Sequence, residues 1–99
     1  MYVVMTKVQL KPETAEDCAR MFEETNPPLV KSEQDWLGAQ MLVNREENQI
    51  TVLATWRDLA SYRHFSASDE FRNTMQGFAP YFQAPPEIST HELLVEMKP

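Results

Sequence analysis

The alternation of residues 50–56 constrains this chain more than any other feature. Ile50, Val52, Ala54 and Trp56 alternate with Thr51, Leu53, Thr55 and Arg57, a period-two pattern that predicts a strand. The pattern stops at Arg57-Asp58, and an Asp there is suited to cap a helix by accepting a backbone N–H. Ser68 is placed to cap a second helix, with Asp69 and Glu70 in its electropositive first turn. Residues 50–72 therefore read as one local unit of strand, turn and two helix starts. Trp56, Tyr62, Phe65 and Phe71 crowd its junction. A pocket beneath those aromatics is the leading functional expectation.

The remaining segments fall into order around that unit. Residues 2–10 predict a first strand, with Tyr2, Val4, Thr6, Val8 and Leu10 on a face that helices should cover. After the turn at Lys11-Pro12-Glu13, Thr14 and Asp17 resemble a capping box. Ala15, Cys18, Ala19, Phe22 and then Leu29 and Val30 recur at helical spacing. Asn26-Pro27-Pro28 should break or kink that helix, with a second helical piece over 28–34. Residues 36–45 predict a second strand with Leu37, Ala39, Met41 and Val43 on one face, and Gly38 marks a bulge or a close approach. Glu46-Glu47-Asn48 closes a hairpin onto the strand that ends at Trp56. Phe71, Met75, Phe78, Ala79 and Phe82 define an amphipathic helix that Pro80 loosens or ends, and residues 88–97 predict a last strand. The resulting β-α-β-β-α-β order is the ferredoxin-like α+β plan, an antiparallel sheet with helices on one face. Its other face carries apolar side chains with no cover from the same chain. A homodimer packed sheet face to sheet face is the expected assembly.

Composition narrows the function. At 99 residues the chain is a single domain, and a net charge of −6 with nine basic residues argues against a nucleic-acid partner. The one cysteine, Cys18, excludes an internal disulfide and offers no metal-site spacing; on the apolar side of its helix it reads as a buried small hydrophobe. The two histidines, His64 and His91, also lack metal-ligand spacing. No segment approaches the roughly 20 apolar residues of a membrane span, and the first residues lack the order of a signal peptide. The cytoplasm is the expected location.

Five segments in order give a family resemblance that runs nearly end to end: the opening strand followed by Lys11-Pro12-Glu13, residues 36–42 (WLGAQML), the strand ending at Trp56, residues 66–71 (SASDEF) and residues 78–87 (FAPYFQAPPE). The chain resembles the antibiotic biosynthesis monooxygenase family of the dimeric α+β barrel superfamily. That resemblance implies a dimer and a pocket in each subunit between helices and sheet. It also implies chemistry ranging from oxidation of quinols and anthrone-like aromatics without metal or flavin to haem breakdown. Haem-degrading relatives use an asparagine, a tryptophan and a histidine at positions that fall on Thr6, Phe65 and Met75 here. Without the histidine ligand, haem degradation is not expected.

The expected pocket is lined by Val4, Thr6, Trp56, Phe65, Phe71, Met75 and Phe78. Oxygenation without a cofactor needs a substrate that becomes electron-rich on losing a proton, a site that orients it and excludes water, and preferably a base. His64 is the candidate base if its helix turns it inward, although a surface histidine is the plainer reading. Tyr62 is the candidate for orienting a substrate hydroxyl, against the plainer reading of a partly buried tyrosine. His91 reads as a packed or interface residue, and Arg72 as an exposed arginine. Two functions stay open: a cofactor-free monooxygenase acting on a hydroxylated aromatic or quinol, and a non-catalytic dimer, binding a small apolar molecule or serving in stress response.

Overall fold

The computed structural model describes all residues, Met1–Pro99. Its elements run β1 (Tyr2–Gln9), α1 (Ala15–Val30), β2 (Trp36–Asn44), β3 (Gln49–Trp56), α2 (Leu59–Ser66), α3 (Asp69–Phe78), a 3-10 turn at Ala79–Tyr81, and β4 (Glu87–Glu92). The four strands form one antiparallel sheet in the order β2-β3-β1-β4. This is the ferredoxin-like α+β fold, with the second helical segment divided into α2 and α3.

Register fixes which side chains share a face. Val4, Thr6 and Val8 lie opposite Ala54, Val52 and Ile50. Those six residues form the floor on which the helices rest. Val3, Met5 and Lys7 lie opposite Thr55, Leu53 and Thr51, and therefore on the other face. The buried residues form two clusters on the helix side. One holds Val8, Leu10, Ala15, Cys18, Ile50 and Phe78. The other holds Val4, Val30, Trp56 and Phe65.

The two caps expected after β3 are present. Asp58 accepts the Ser61 backbone N–H at 2.8 Å, and Ser68 Oγ accepts that of Phe71 at 3.1 Å. The Ser61 N–H, then its hydroxyl, hold the Asp58 carboxyl below the usual carboxylate range. Asp35 adds a tie across the start of β2. Its carbonyl accepts the Arg57 N–H at 2.8 Å and its carboxylate accepts the Ser61 hydroxyl at 2.7 Å.

Four local expectations need correction. The Thr14 side chain does not cap α1; its hydroxyl donates to the Lys11 carbonyl at 2.8 Å, in a turn where Glu13 takes φ 62°. Pro27 and Pro28 do not break α1, which continues to Val30 as one helix. The N–H groups they lack would serve the carbonyls of Glu23 and Glu24, on the exposed side of the helix where water can replace them. Leu29 and Val30 meanwhile hold the last turn against the core cluster around Trp56.

A bulge between Trp36 and Gly38, with Gly38 at φ 145°, shifts the phase of β2. Trp36 therefore joins Ala39 and Met41 on the helix side, whereas Leu37 remains 40% exposed. Finally, β4 ends at Glu92 rather than Met97. Its partner β1 starts at Tyr2, so after Glu92 pairs with Tyr2 the last rung is Leu93 N–H to the Met1 carbonyl, at 2.9 Å. Beyond it Leu94, Val95 and Met97 project at 85%, 67% and 87% exposure.

Candidate functional site

Between the helices and the sheet lies a cavity of about 110 Å³ that opens to solvent. Both core clusters contribute to its wall. Nineteen of its 23 lining residues are hydrophobic, and none is Lys, Arg, His, Asp or Glu.

The wall follows from the elements one by one. Inward positions of β1 and β3 supply Val4, Thr6, Val8, Ile50, Val52, Ala54 and Trp56. The bulged β2 adds Trp36, Ala39 and Met41. α2 places Tyr62 and Phe65 against Trp56, with ring centroids 5.9 and 5.0 Å away, and Phe71 of α3 lies 5.1 Å from Phe65. Such tilted and edge contacts are the favoured aromatic geometries. They fix the α2–α3 corner over the end of β3. Met75 and Phe78 continue the wall along α3.

All seven residues expected to line a pocket do so: Val4, Thr6, Trp56, Phe65, Phe71, Met75 and Phe78. Tyr62 lines it as well. Burial pushes the Tyr62 phenol above its ordinary pKa, with a smaller opposing effect from the Ser66 hydroxyl, so it stays protonated at neutral pH. His64 lies outside the lining and is exposed, since one residue along α2 turns it about 100° away from Phe65. His91 sits on the uncovered sheet face beside Val3, its Nε2 2.8 Å from Ser89 Oγ. Arg72 is exposed and pairs with Asp69 at 2.6 Å. Cys18 borders the cavity, and burial raises its thiol pKa, which leaves it a poor nucleophile.

α1 supplies a stripe that the sequence reading did not assign to the site: Phe22, Thr25, Asn26 and Leu29, with Cys18. The signal was present, since 18, 22, 25, 26 and 29 stand at offsets of zero, four, seven, eight and eleven. The helical pattern reaches Leu29 and Val30 across the break expected at Asn26-Pro27-Pro28, but leaves Thr25 and Asn26 unassigned. No imidazole lines the cavity, so the ligand that haem-degrading relatives use has no counterpart in its wall. No cluster of three or more His, Cys, Asp or Glu is placed to hold a metal ion. No helix is long and apolar enough to cross a membrane.

Sheet topology and site together define a ferredoxin-like α+β chain with an uncharged, aromatic-walled cavity between its helices and its sheet. The family model for antibiotic biosynthesis monooxygenases matches residues 1–77, and the chain belongs to that family. Among solved structures it resembles a conserved protein of Methanosarcina mazei Go1, at 20% identity and a TM-score of 0.77, over 91% of this chain and 89% of that one. It also resembles a protein of Mycobacterium tuberculosis, at 10% identity and 0.77, over 98% of each chain. A structure described as an antibiotic biosynthesis monooxygenase aligns at 14% identity and 0.76, over 96% of this chain and 100% of that one. At these identities the likeness is one of fold. No curated protein sequence matches the chain.

Proposed function

We propose that this protein is a cofactor-independent monooxygenase that takes a hydroxylated aromatic or quinol-type molecule into the cavity and oxidises it with dioxygen. The observation that carries the reading is the cavity itself, aromatic-walled and without a charged residue, in a chain of this family. In an anthrone-type substrate, loss of a proton gives an enolate that passes one electron to dioxygen. The substrate radical and superoxide combine at carbon, and with a proton form a hydroperoxide. Loss of water then leaves a new carbonyl. One oxygen atom is retained, the other departs as water, and the substrate carbon is oxidised. The protein's share is to hold the ring against the wall formed by Trp56, Phe65 and Phe71, to exclude water, and to orient the hydroxyl through Tyr62.

A second reading is favoured by one feature of the same wall. No carboxylate, imidazole or amine lines it, so there is no obvious general base, and a non-catalytic binder or stress-response protein of this build needs none. Under either reading the functional unit is a homodimer joined through the uncovered sheet faces.

Oxygen uptake with 1,8-dihydroxyanthrone and menadiol, measured above the spontaneous rate, separates the two readings. The enzyme is expected to accelerate uptake. Tyr62→Phe should lower kcat about tenfold or more, in line with losing a general hydrogen-bonding or acid–base group. His64→Ala should leave it unchanged, because that side chain is outside the cavity. Quenching of tryptophan fluorescence with no uptake above background would instead establish the binder.

A further inference from the structure

We infer that Asn26 is the specificity-determining residue of the cavity, and that it selects uncharged aromatic ligands bearing a hydroxyl or ketone oxygen. This rests on the reading of the cavity as an aromatic-binding site. Four lining residues are polar by composition: Thr6, Thr25, Asn26 and Thr74. Thr25 is already engaged, its hydroxyl donating to the Met21 carbonyl at 2.8 Å. The Asn26 carboxamide has no hydrogen bond to another protein group, and neither do the hydroxyls of Thr6 and Thr74; none of these atoms is shut off from solvent, so an entering ligand meets them in exchange for water. Asn26 is the only one of these groups to offer two donors and an acceptor.

Its position is unfavourable in every local respect. Asparagine is a weak helix former, the residue before a proline is pushed away from helical conformation, and this one faces an apolar space within α1. Nothing in the chain repays those costs, because the side chain neither caps nor bonds to backbone. A local rule broken without local return is expected where a ligand supplies the return. A carboxamide can donate to a phenolic or keto oxygen and accept from an O–H. It cannot neutralise a carboxylate, and no Lys, Arg or His in the wall can do so either. The selection follows: aromatic oxygens are admitted, anions are refused.

Both tryptophans of the chain, Trp36 and Trp56, line the cavity, so their fluorescence reports its occupancy directly. Naphthalene, 1-naphthol and 1-naphthoate share one ring system and differ in the polar group. For the native protein 1-naphthol is expected to bind about five- to tenfold more tightly than naphthalene, the scale of one good hydrogen bond. 1-Naphthoate should bind most weakly. Asn26→Leu should remove most of the advantage of 1-naphthol, leaving only the share Tyr62 supplies, while naphthalene still binds, and that retained binding shows the variant is folded. Asn26→Gln, which keeps the amide, should retain part of the preference. If all three compounds bind and Asn26→Leu leaves the advantage of 1-naphthol undiminished, or if 1-naphthoate binds tightest, the assignment of Asn26 is overturned while the cavity reading survives. If none of the three quenches the tryptophans, both fall.

Discussion

Replacing Trp56 by alanine should lower the melting temperature by roughly 15–30 °C, the largest stability effect of any single substitution in the cavity wall. Trp56 is 1% exposed and belongs to the cluster with Val4, Val30 and Phe65. Deleting a buried Trp or Phe side chain costs about 3–5 kcal/mol. Loss of its contacts with Tyr62 and Phe65 falls at the same point, because those rings hold α2 over β3. A domain of this size has about 5–15 kcal/mol in all, and each kcal/mol moves its melting point by about 4–8 °C. Trp36→Ala is the comparison. Trp36 is only half-buried and lies on the edge strand β2, so its removal should cost a much smaller part of the same shift. Thermal unfolding followed by far-ultraviolet circular dichroism reads both. A drop of less than about 5 °C for Trp56→Ala, on the scale above, would mean the aromatic junction does not hold the helices to the sheet.

That junction was the most legible part of the chain, for a reason particular to it. Between Ile50 and Phe71 every determinant is local: alternation in β3, the caps at Asp58 and Ser68, and aromatics spaced to meet. Errors arose where a longer-range partner decided the outcome. The length of β4 depends on where β1 begins, and no feature within residues 88–97 reveals that. The phase of β2 depends on the bulge at Gly38, which moved Trp36 into the wall and Leu37 out of it. Pro27 and Pro28 argued locally for a break, but the carbonyls they leave unpaired face solvent, and the packing of Leu29 and Val30 carried the helix through. The site was legible in the same uneven way. Strand alternation placed Val4, Thr6 and Trp56 on the wall, the α3 pattern placed Phe71, Met75 and Phe78, and the α2 aromatics placed Phe65, whereas Asn26 was hidden by the break expected at the prolines that follow it. The position of His64 turned on a single residue of helical phase, which spacing alone does not fix.

On the proposed homodimer, Leu53→Asp should leave a monomer across the micromolar range, with the fold of the single chain retained. Leu53 lies on β3 opposite Met5 and Gln40, near the middle of the sheet face that no helix of the chain covers. Four strands about 4.8 Å apart and about 8 residues long at 3.3 Å each present a face of roughly 500 Å². A standard stable interface buries about 800 Å² per partner, so the face alone falls short. The residues after β4 supply further apolar surface, since Leu94, Val95 and Met97 stand almost wholly in solvent just beyond the sheet's edge. Two-fold symmetry would place both copies of the introduced carboxylate in one interface, and leaving charge buried and unpaired there costs several kcal/mol. Dissociation should therefore strengthen by at least about a hundredfold. Deleting residues 93–99 should weaken association less, by about ten- to a hundredfold, in proportion to the apolar surface it removes. Sedimentation velocity across a concentration series distinguishes the outcomes, with near-ultraviolet circular dichroism reporting whether the aromatic junction remains packed. A native chain that sediments as a monomer at tens of micromolar would show that the uncovered sheet face, where Val3, Met5, Leu42 and Leu53 stand among Lys7, Gln40, Thr51 and Thr55, is not where two copies meet.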